Sequence, residues 1–160
     1  MINIIGLCGI CGIVVTLYAI YVERMAKSKS GGGQSKYKAI CDVNDSMSCT
    51  LVLTSKYSKM MGTIFNLDKD SWFNLPNTYY GLLFYVCVTL YPLYPFILIP
   101  FREVLLLGAS LMSIVSSVML AYILYFKLKN LCMVCIVTYV INITILLSAI
   151  NEFQWHHYFS

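Results

Sequence analysis

Four stretches of this chain run for about 20 residues or more without an Asp, Glu, Lys or Arg: Ile2 to Val22, Tyr79 to Phe101, Val104 to Phe126 and Leu131 to Ile150. At a rise of ~1.5 Å per residue each reaches across the ~30 Å hydrocarbon layer of a bilayer. Backbone N–H and C=O groups find no water there, so segments this long and uniform must close their hydrogen bonds internally, as helices. The pattern predicts an all-α membrane protein, a four-transmembrane-helix bundle with spans at about 2–22, 79–98, 104–126 and 131–150, in one domain covering 1–160. Composition agrees: 59% of the residues are apolar and 11% charged, far from the balance of a soluble domain. Nothing in the chain points to nucleic acid.

The first stretch lacks a basic leader region and a clean small-x-small site after it, so it is read as a span and not as a cleaved leader. The second carries Pro92, Pro95 and Pro100, which predicts a kink or an early end near Tyr91. In the third, Gly108, Ala109, Ser110, Ser113, Ser116 and Ser117 form a face of small residues that is expected to pack closely on its neighbours.

Parity of crossings then places the long loop 23–78 and the short turn Lys127 to Asn130 on one side of the membrane. Cys41, Cys49, Cys132 and Cys135 share that side, while Arg102 and Glu103 make the tight turn on the other. Every basic residue except Arg102 also lies on the thiol side, which the positive-inside rule would assign to the cytoplasm. Against this, lasting cysteine exchange belongs in an oxidising lumen, and Asn44-Asp45-Ser46 matches a glycosylation acceptor that is used only there. The lumen is the expected side, with the loop capping the site.

Within the loop, Ser28 to Ser35 reads SKSGGGQS, a flexible linker whose glycines at 31–33 are native or introduced. Beyond it, apolar residues that include Leu51, Val52, Leu53, Met60, Met61, Trp72 and Phe73 provide surface for a lid on the membrane mouth. Cys41 and Cys49 are spaced to close a small disulfide loop and lie on the same side as Cys132-Met133-Val134-Cys135, so two dithiols suggest a relay. Exchange proceeds by a thiolate attacking the other pair's disulfide. Cys49, beside the Leu51-Val52-Leu53 run, is placed to reach Cys132, with Cys41 resolving Cys49 and exchanging with a soluble partner. Cys132 stands at a helix start, near Lys127 and Lys129, where the dipole favours a thiolate. Cys135 lies nearly a turn deeper, with Tyr139 four residues on along the same face, its hydroxyl available to a carbonyl or epoxide oxygen.

Plainer roles compete. Four cysteines can hold structural zinc, although the wide gap between Cys41 and Cys49 is unlike the usual ligand spacing. Tyr139 can be an interfacial anchor, and Asn77, after Pro76, reads more naturally as a helix N-cap than as a ligand. Cys8 and Cys11 read as packing inside the first span, Cys87 as a small buried side chain, and His156 and His157 as an exposed tail without metal.

Taken together, Cys41-DVNDSMS-Cys49, Ser55, Asn77-TYYG, the run LAYILYF from Leu120 to Phe126, and Cys132-MV-Cys135-IVTY ending at Tyr139 resemble the vitamin K epoxide reductase family over nearly the whole chain after Leu7. The resemblance implies an enzyme of the endoplasmic reticulum membrane that reduces vitamin K 2,3-epoxide to the quinone and the quinone to hydroquinone, serving the vitamin K cycle for gamma-carboxylation. It implies Cys132 and Cys135 as the active-site pair, Cys41 and Cys49 as the shuttle pair, and Asn77 and Tyr139 as partners of the substrate oxygens. Val52, Leu53, Tyr57, Tyr80, Phe84, Leu120, Leu124 and Leu128 match the family's apolar pocket, which also takes coumarin anticoagulants. No tightly bound cofactor is implied: epoxide or quinone is the substrate, and a dithiol reductant, in the cell a luminal thioredoxin-like protein, is the electron donor. Leu53 and Tyr57 stand where vertebrate members carry Phe and Trp, a departure that bears on inhibitor sensitivity and suggests an invertebrate member. Two other functions use the same residues differently: a quinone-linked oxidase that makes disulfides in partner proteins, and a non-catalytic membrane subunit.

Overall fold

The computed structural model describes residues 2–30, 38–42, 47–59, 75–93 and 101–159. Five α-helices are seen among them: α1 (Ile2–Ser30), α2 (Cys49–Thr54), α3 (Asn77–Leu90), α4 (Arg102–Ile123) and α5 (Met133–Phe159). A 3-10 turn follows α2 at Lys56–Lys59, and α4 runs on into a π turn at Leu124–Leu128. Three stretches among the described residues are long and apolar enough to cross a bilayer: Ile4–Ser28, Arg102–Leu128 and Met133–Trp155. With no strand among the described residues, the chain is an all-α, multi-pass membrane protein.

The remaining expected span is described only in part. Its helix α3 has 14 residues, about 21 Å at the helical rise and short of the hydrocarbon layer. Tyr91 N–H still bonds Cys87 O, after which Tyr91 to Leu93 turn away at Pro92, whose missing N–H cannot continue the ladder. The expected end near Tyr91 is therefore found; Pro95 and Pro100 lie outside the described residues. So do Gly31 to Gly33, the Asn44 acceptor, and the lid residues Met60, Met61, Trp72 and Phe73.

Two helices outrun the predicted spans. α1 continues past Val22 to Ser30, replacing the start of the predicted loop and linker, because Glu23 and Lys27 pair one turn apart and carry the helix out of the apolar zone. α5 continues past Ile150 to Phe159, with no Pro or Gly in it to stop the ladder, so the predicted exposed tail is helical.

α1 is the packing centre, lying along α3 and α5, while α4 packs on α5 and barely touches α3. Glycines on α1 allow its close approach to α3. A Cβ on Gly12 would overlap the Tyr85 ring, and one on Gly9 would come within 2.8 Å of the Thr89 backbone N. The α4 stripe of small residues, expected to make close helix contact, does so only in part: Ser110 is fully buried, whereas a Cβ on Gly108 meets nothing within 4 Å, and Ala109, Ser113, Ser116 and Ser117 border a cavity. Their small side chains leave room rather than close it. Cys11 and Cys87, expected to be packed inside, are exposed on the outward faces of α1 and α3. Lipid-facing apolar surface is the rule on α4, where Leu105, Val115 and Val118 are each more than half exposed.

Candidate active site

The site forms where the loop helix α2 meets the first turn of α5. At the end of the π turn, Lys129 takes a left-handed backbone conformation (φ 51°) that ends the helix and reverses the chain. The reversal brings Leu131 into a parallel bridge with Met47, and the next residue on each side of the chain leads to a cysteine. Cys132 then sits just ahead of α5, its carbonyl accepting from Ile136 N at 3.1 Å.

Across that junction Cys132 Sγ lies 3.4 Å from Cys49 Sγ, both side chains fully buried. Cys41 completes the line: its Sγ, the Cys49 Sγ and an Asp42 carboxylate oxygen all lie within 4.8 Å of one another. All four cysteines are free thiols here, so this is the reduced arrangement. Asp42 builds the loop's geometry, accepting from Ala39 N (3.0 Å), Thr50 N (3.1 Å) and the Thr50 hydroxyl (2.6 Å). These bonds tie the backbone beside Cys41 to the start of α2. Burial works against the Asp42 carboxylate, yet the donated bonds from Thr50 and Ala39 hold its pKa below the ordinary range. From α1, the Tyr18 hydroxyl reaches Cys41 Sγ at 3.7 Å.

Three of the thiols are shifted toward the protonated form. Burial, then hydrogen bonding with Cys49, pushes Cys41 up to about 12. Hydrogen bonding with Cys132, then burial, pushes Cys49 up as well. Cys132 is pushed up to about 12, hydrogen bonding with Cys135 being the largest cause, with burial adding and the Cys49 contact opposing. The expectation of a Cys132 thiolate is thus overturned: the helix start is sealed under α2, and Lys127 and Lys129 are exposed.

Cys135, within reach of Cys132 and nearly a turn deeper, borders a cavity of about 380 Å³ lined by α1, α2, the 3-10 turn, α3, α4, the π turn and α5. That volume suits a small-molecule ligand. All ten expected substrate-binding residues border it: Asn77, Tyr139, Val52, Leu53, Tyr57, Tyr80, Phe84, Leu120, Leu124 and Leu128. Of the expected redox cysteines only Cys135 does; Cys132, Cys41 and Cys49 stay on the loop side. Asn77 is not the N-cap of α3, since Pro76 holds that position without a side-chain cap bond, and Asn77 borders the cavity from the first turn. The Tyr139 hydroxyl is buried with no hydrogen-bond partner among the described residues. A buried hydroxyl in that condition awaits a ligand oxygen more readily than it anchors at an interface.

Sequence reasoning missed the polar inner wall. Tyr85 donates its hydroxyl to Asn142 Oδ1 (2.8 Å), and Asn142 Nδ2 donates to Ser117 Oγ (2.9 Å). Asn142 and Ser117 both border the cavity. The available signal was an amide inside a charge-free membrane helix. Asp42 and Tyr18 were missed too, Tyr18 because nothing local marks it.

A dithiol that faces a buried loop thiol on one side and an apolar, ligand-sized cavity on the other defines a membrane thiol oxidoreductase acting on a lipid-soluble substrate. Comparison with known proteins agrees. The model of the vitamin K epoxide reductase family matches residues 3–150, and the chain belongs to that family. It is 35% identical to vitamin K epoxide reductase complex subunit 1 of Mus musculus over 143 residues, covering 89% of this chain and 84% of that protein. With the Rattus norvegicus protein of the same name the identity is 33% over 143 residues, with the same coverage.

Proposed function

We propose that this protein reduces vitamin K 2,3-epoxide to the quinone and the quinone to hydroquinone, in the endoplasmic reticulum membrane with its thiols on the luminal side. The observation that carries this reading is the division of labour in one helical turn: Cys135 borders the cavity with Asn77 and Tyr139, while Cys132 touches Cys49. Four crossings, the second begun by α3, keep both cysteine pairs on one side.

In the epoxide reaction the Cys135 thiolate attacks an oxirane carbon; a C–S bond forms, a C–O bond breaks, and the oxygen takes a proton with Tyr139 and Asn77 bonded to the substrate oxygens. Cys132 then attacks the Cys135 sulfur. The S–S bond forms, the C–S electron pair returns to carbon, and loss of the hydroxyl as water leaves the quinone. The substrate gains two electrons and the dithiol becomes a disulfide. A second reduced dithiol takes quinone to hydroquinone, the two thiol protons ending on the two oxygens. Cys49 attacks Cys132 to reopen the disulfide, Cys41 resolves Cys49, and a luminal thioredoxin-like dithiol protein reduces that pair.

The weak contact between α3 and α4 supports a route for the isoprenoid tail between these helices into lipid, where apolar burial favours it. Coumarins enter the same cavity, with Leu53 and Tyr57 setting their affinity. The test is epoxide reduction by the purified chain in detergent with a small dithiol, wild type against Cys135→Ala. Turnover that vanishes in the variant supports the reading. Quinone consumption without any epoxide turnover would assign the chain to disulfide-forming oxidases instead.

A further inference from the structure

A cluster of polar side chains joins α1 to α3 at the thiol end of the cavity, and the chemistry above makes no use of it. Glu23 is 3% exposed. Its carboxylate accepts from Lys27 one turn on, and from the Thr78 hydroxyl of α3 at 3.1 Å. The adjacent Arg24 donates through Nε and Nη2 to the Tyr79 hydroxyl, at 3.3 and 3.1 Å. Consecutive residues of α1 thus hold consecutive residues of α3. A carboxylate this buried is costly unless such bonds are made, so the arrangement is maintained or lost as a unit.

The first turn of α3 needs holding from outside. Pro76 occupies its N-cap and makes no side-chain cap bond, a condition that leaves helix starts prone to fray. A carboxylate beside the positive end of the α3 dipole is favourable in itself. Thr78 directly follows Asn77, and both border the cavity.

We infer that Glu23 is a positioning residue: by holding Thr78 it fixes the first turn of α3 and with it the Asn77 amide against the substrate oxygen. The inference rests on the role proposed for Asn77. Arg24, through Tyr79, supports the same turn from the solvent side.

The test is a double-mutant cycle on the full chain in detergent, read as kcat/KM for epoxide reduction and as the epoxide dissociation constant, so that a variant without turnover still gives an answer. Glu23→Ala is expected to lower kcat/KM about tenfold, the scale of a displaced orienting group. Glu23→Gln keeps an oxygen for Thr78 and is expected to stay within about twofold of wild type on the same scale. Thr78→Val, which removes the hydroxyl at nearly constant volume, is expected to reproduce the Glu23→Ala loss. In an Asn77→Ala background, Glu23→Ala is expected to add nothing, because residues acting through one contact are not additive. Equal Glu23→Ala losses in both backgrounds, a Gln variant as impaired as Ala, or an unaffected Thr78→Val would each overturn the inference while leaving Asn77's role intact. Wild-type turnover and affinity in Asn77→Ala alone would instead remove the role of Asn77, and the inference with it.

Discussion

Replacing Tyr139 by Phe removes one oxygen and nothing else, and the structure sets the sign of two separate consequences. The hydroxyl is buried with no partner among the described residues. Leaving such a group unbonded costs roughly 1–3 kcal/mol, so its removal is expected to leave the fold as stable or to stabilise it by about 1 kcal/mol. For a chain of this size that is a rise of roughly 2–4 °C in Tm. Turnover moves the opposite way. If the hydroxyl meets the substrate oxygen as charge builds on it, its loss costs on the order of a hundredfold in kcat, as for other single donors to a developing oxyanion. The assay pairs thermal unfolding in detergent with steady-state epoxide reduction on the same preparation. A Tyr139→Phe protein that melts several degrees lower with its turnover intact would refute the reasoning, because the hydroxyl would then be part of the packing and not of the site.

Further predictions concern the sulfur line and the helix contacts. With Cys41→Ser and Cys135→Ser combined, Cys49 and Cys132 lie 3.4 Å apart without a competing partner, and mild oxidation is expected to join them; peptide mass mapping that finds both thiols still free would count against the relay. Because Cys41 is pushed up to about 12, its thiolate is scarce at neutral pH and grows as pH rises toward that value. Exchange of the reduced loop pair with an added disulfide should then quicken about tenfold per pH unit between pH 7 and 9, and a flat profile would contradict the protonated thiol. Gly12→Ala forces a methyl into the Tyr85 ring and should cost roughly 1–3 kcal/mol. Gly108→Ala, with open space around it, should be neutral or gain up to about 1 kcal/mol from helix propensity, and equal effects at both sites in thermal unfolding would contradict the helix packing described.

What could be read from sequence divides along physical lines. Long charge-free runs need only length and hydropathy, so α1, α4 and α5 were legible, and Pro92 marked where α3 stops. Their ends were less so: α1 runs through Glu23 to Ser30 because a side-chain pair and a tertiary bond to Thr78 support it, and neither shows in a hydropathy pattern. The resemblance led to ten residues that border the cavity, which lie on six separate elements and share no local pattern. The thiol chemistry was misjudged at Cys132 for a related reason: the dipole and nearby lysines are local, whereas the burial under α2 that opposes a thiolate is made by residues distant in sequence. The α4 serines show the converse error, since small residues permit close packing but equally permit a cavity, and only the neighbouring helix decides which.

The placement of the two dithiols has a mechanistic consequence. Reduction of an epoxide or a quinone inside lipid needs a dry cavity, whereas recharging needs access to a water-borne reductant, and one sulfur cannot face both. Cys132 and Cys135 are three residues apart at the start of α5, so they lie within reach of each other and differ by nearly one helical turn in depth. Cys132 reaches Cys49 without bordering the cavity, and Cys135 borders the cavity. In the proposed reaction, electrons cross from the loop side to the cavity side through a bond exchange within one turn of helix, with no opening of the cavity required. The raised pKa values of Cys41, Cys49 and Cys132 fit this arrangement: burial and mutual hydrogen bonding favour the protonated form of these three sulfurs, which slows loss of electrons to other oxidants.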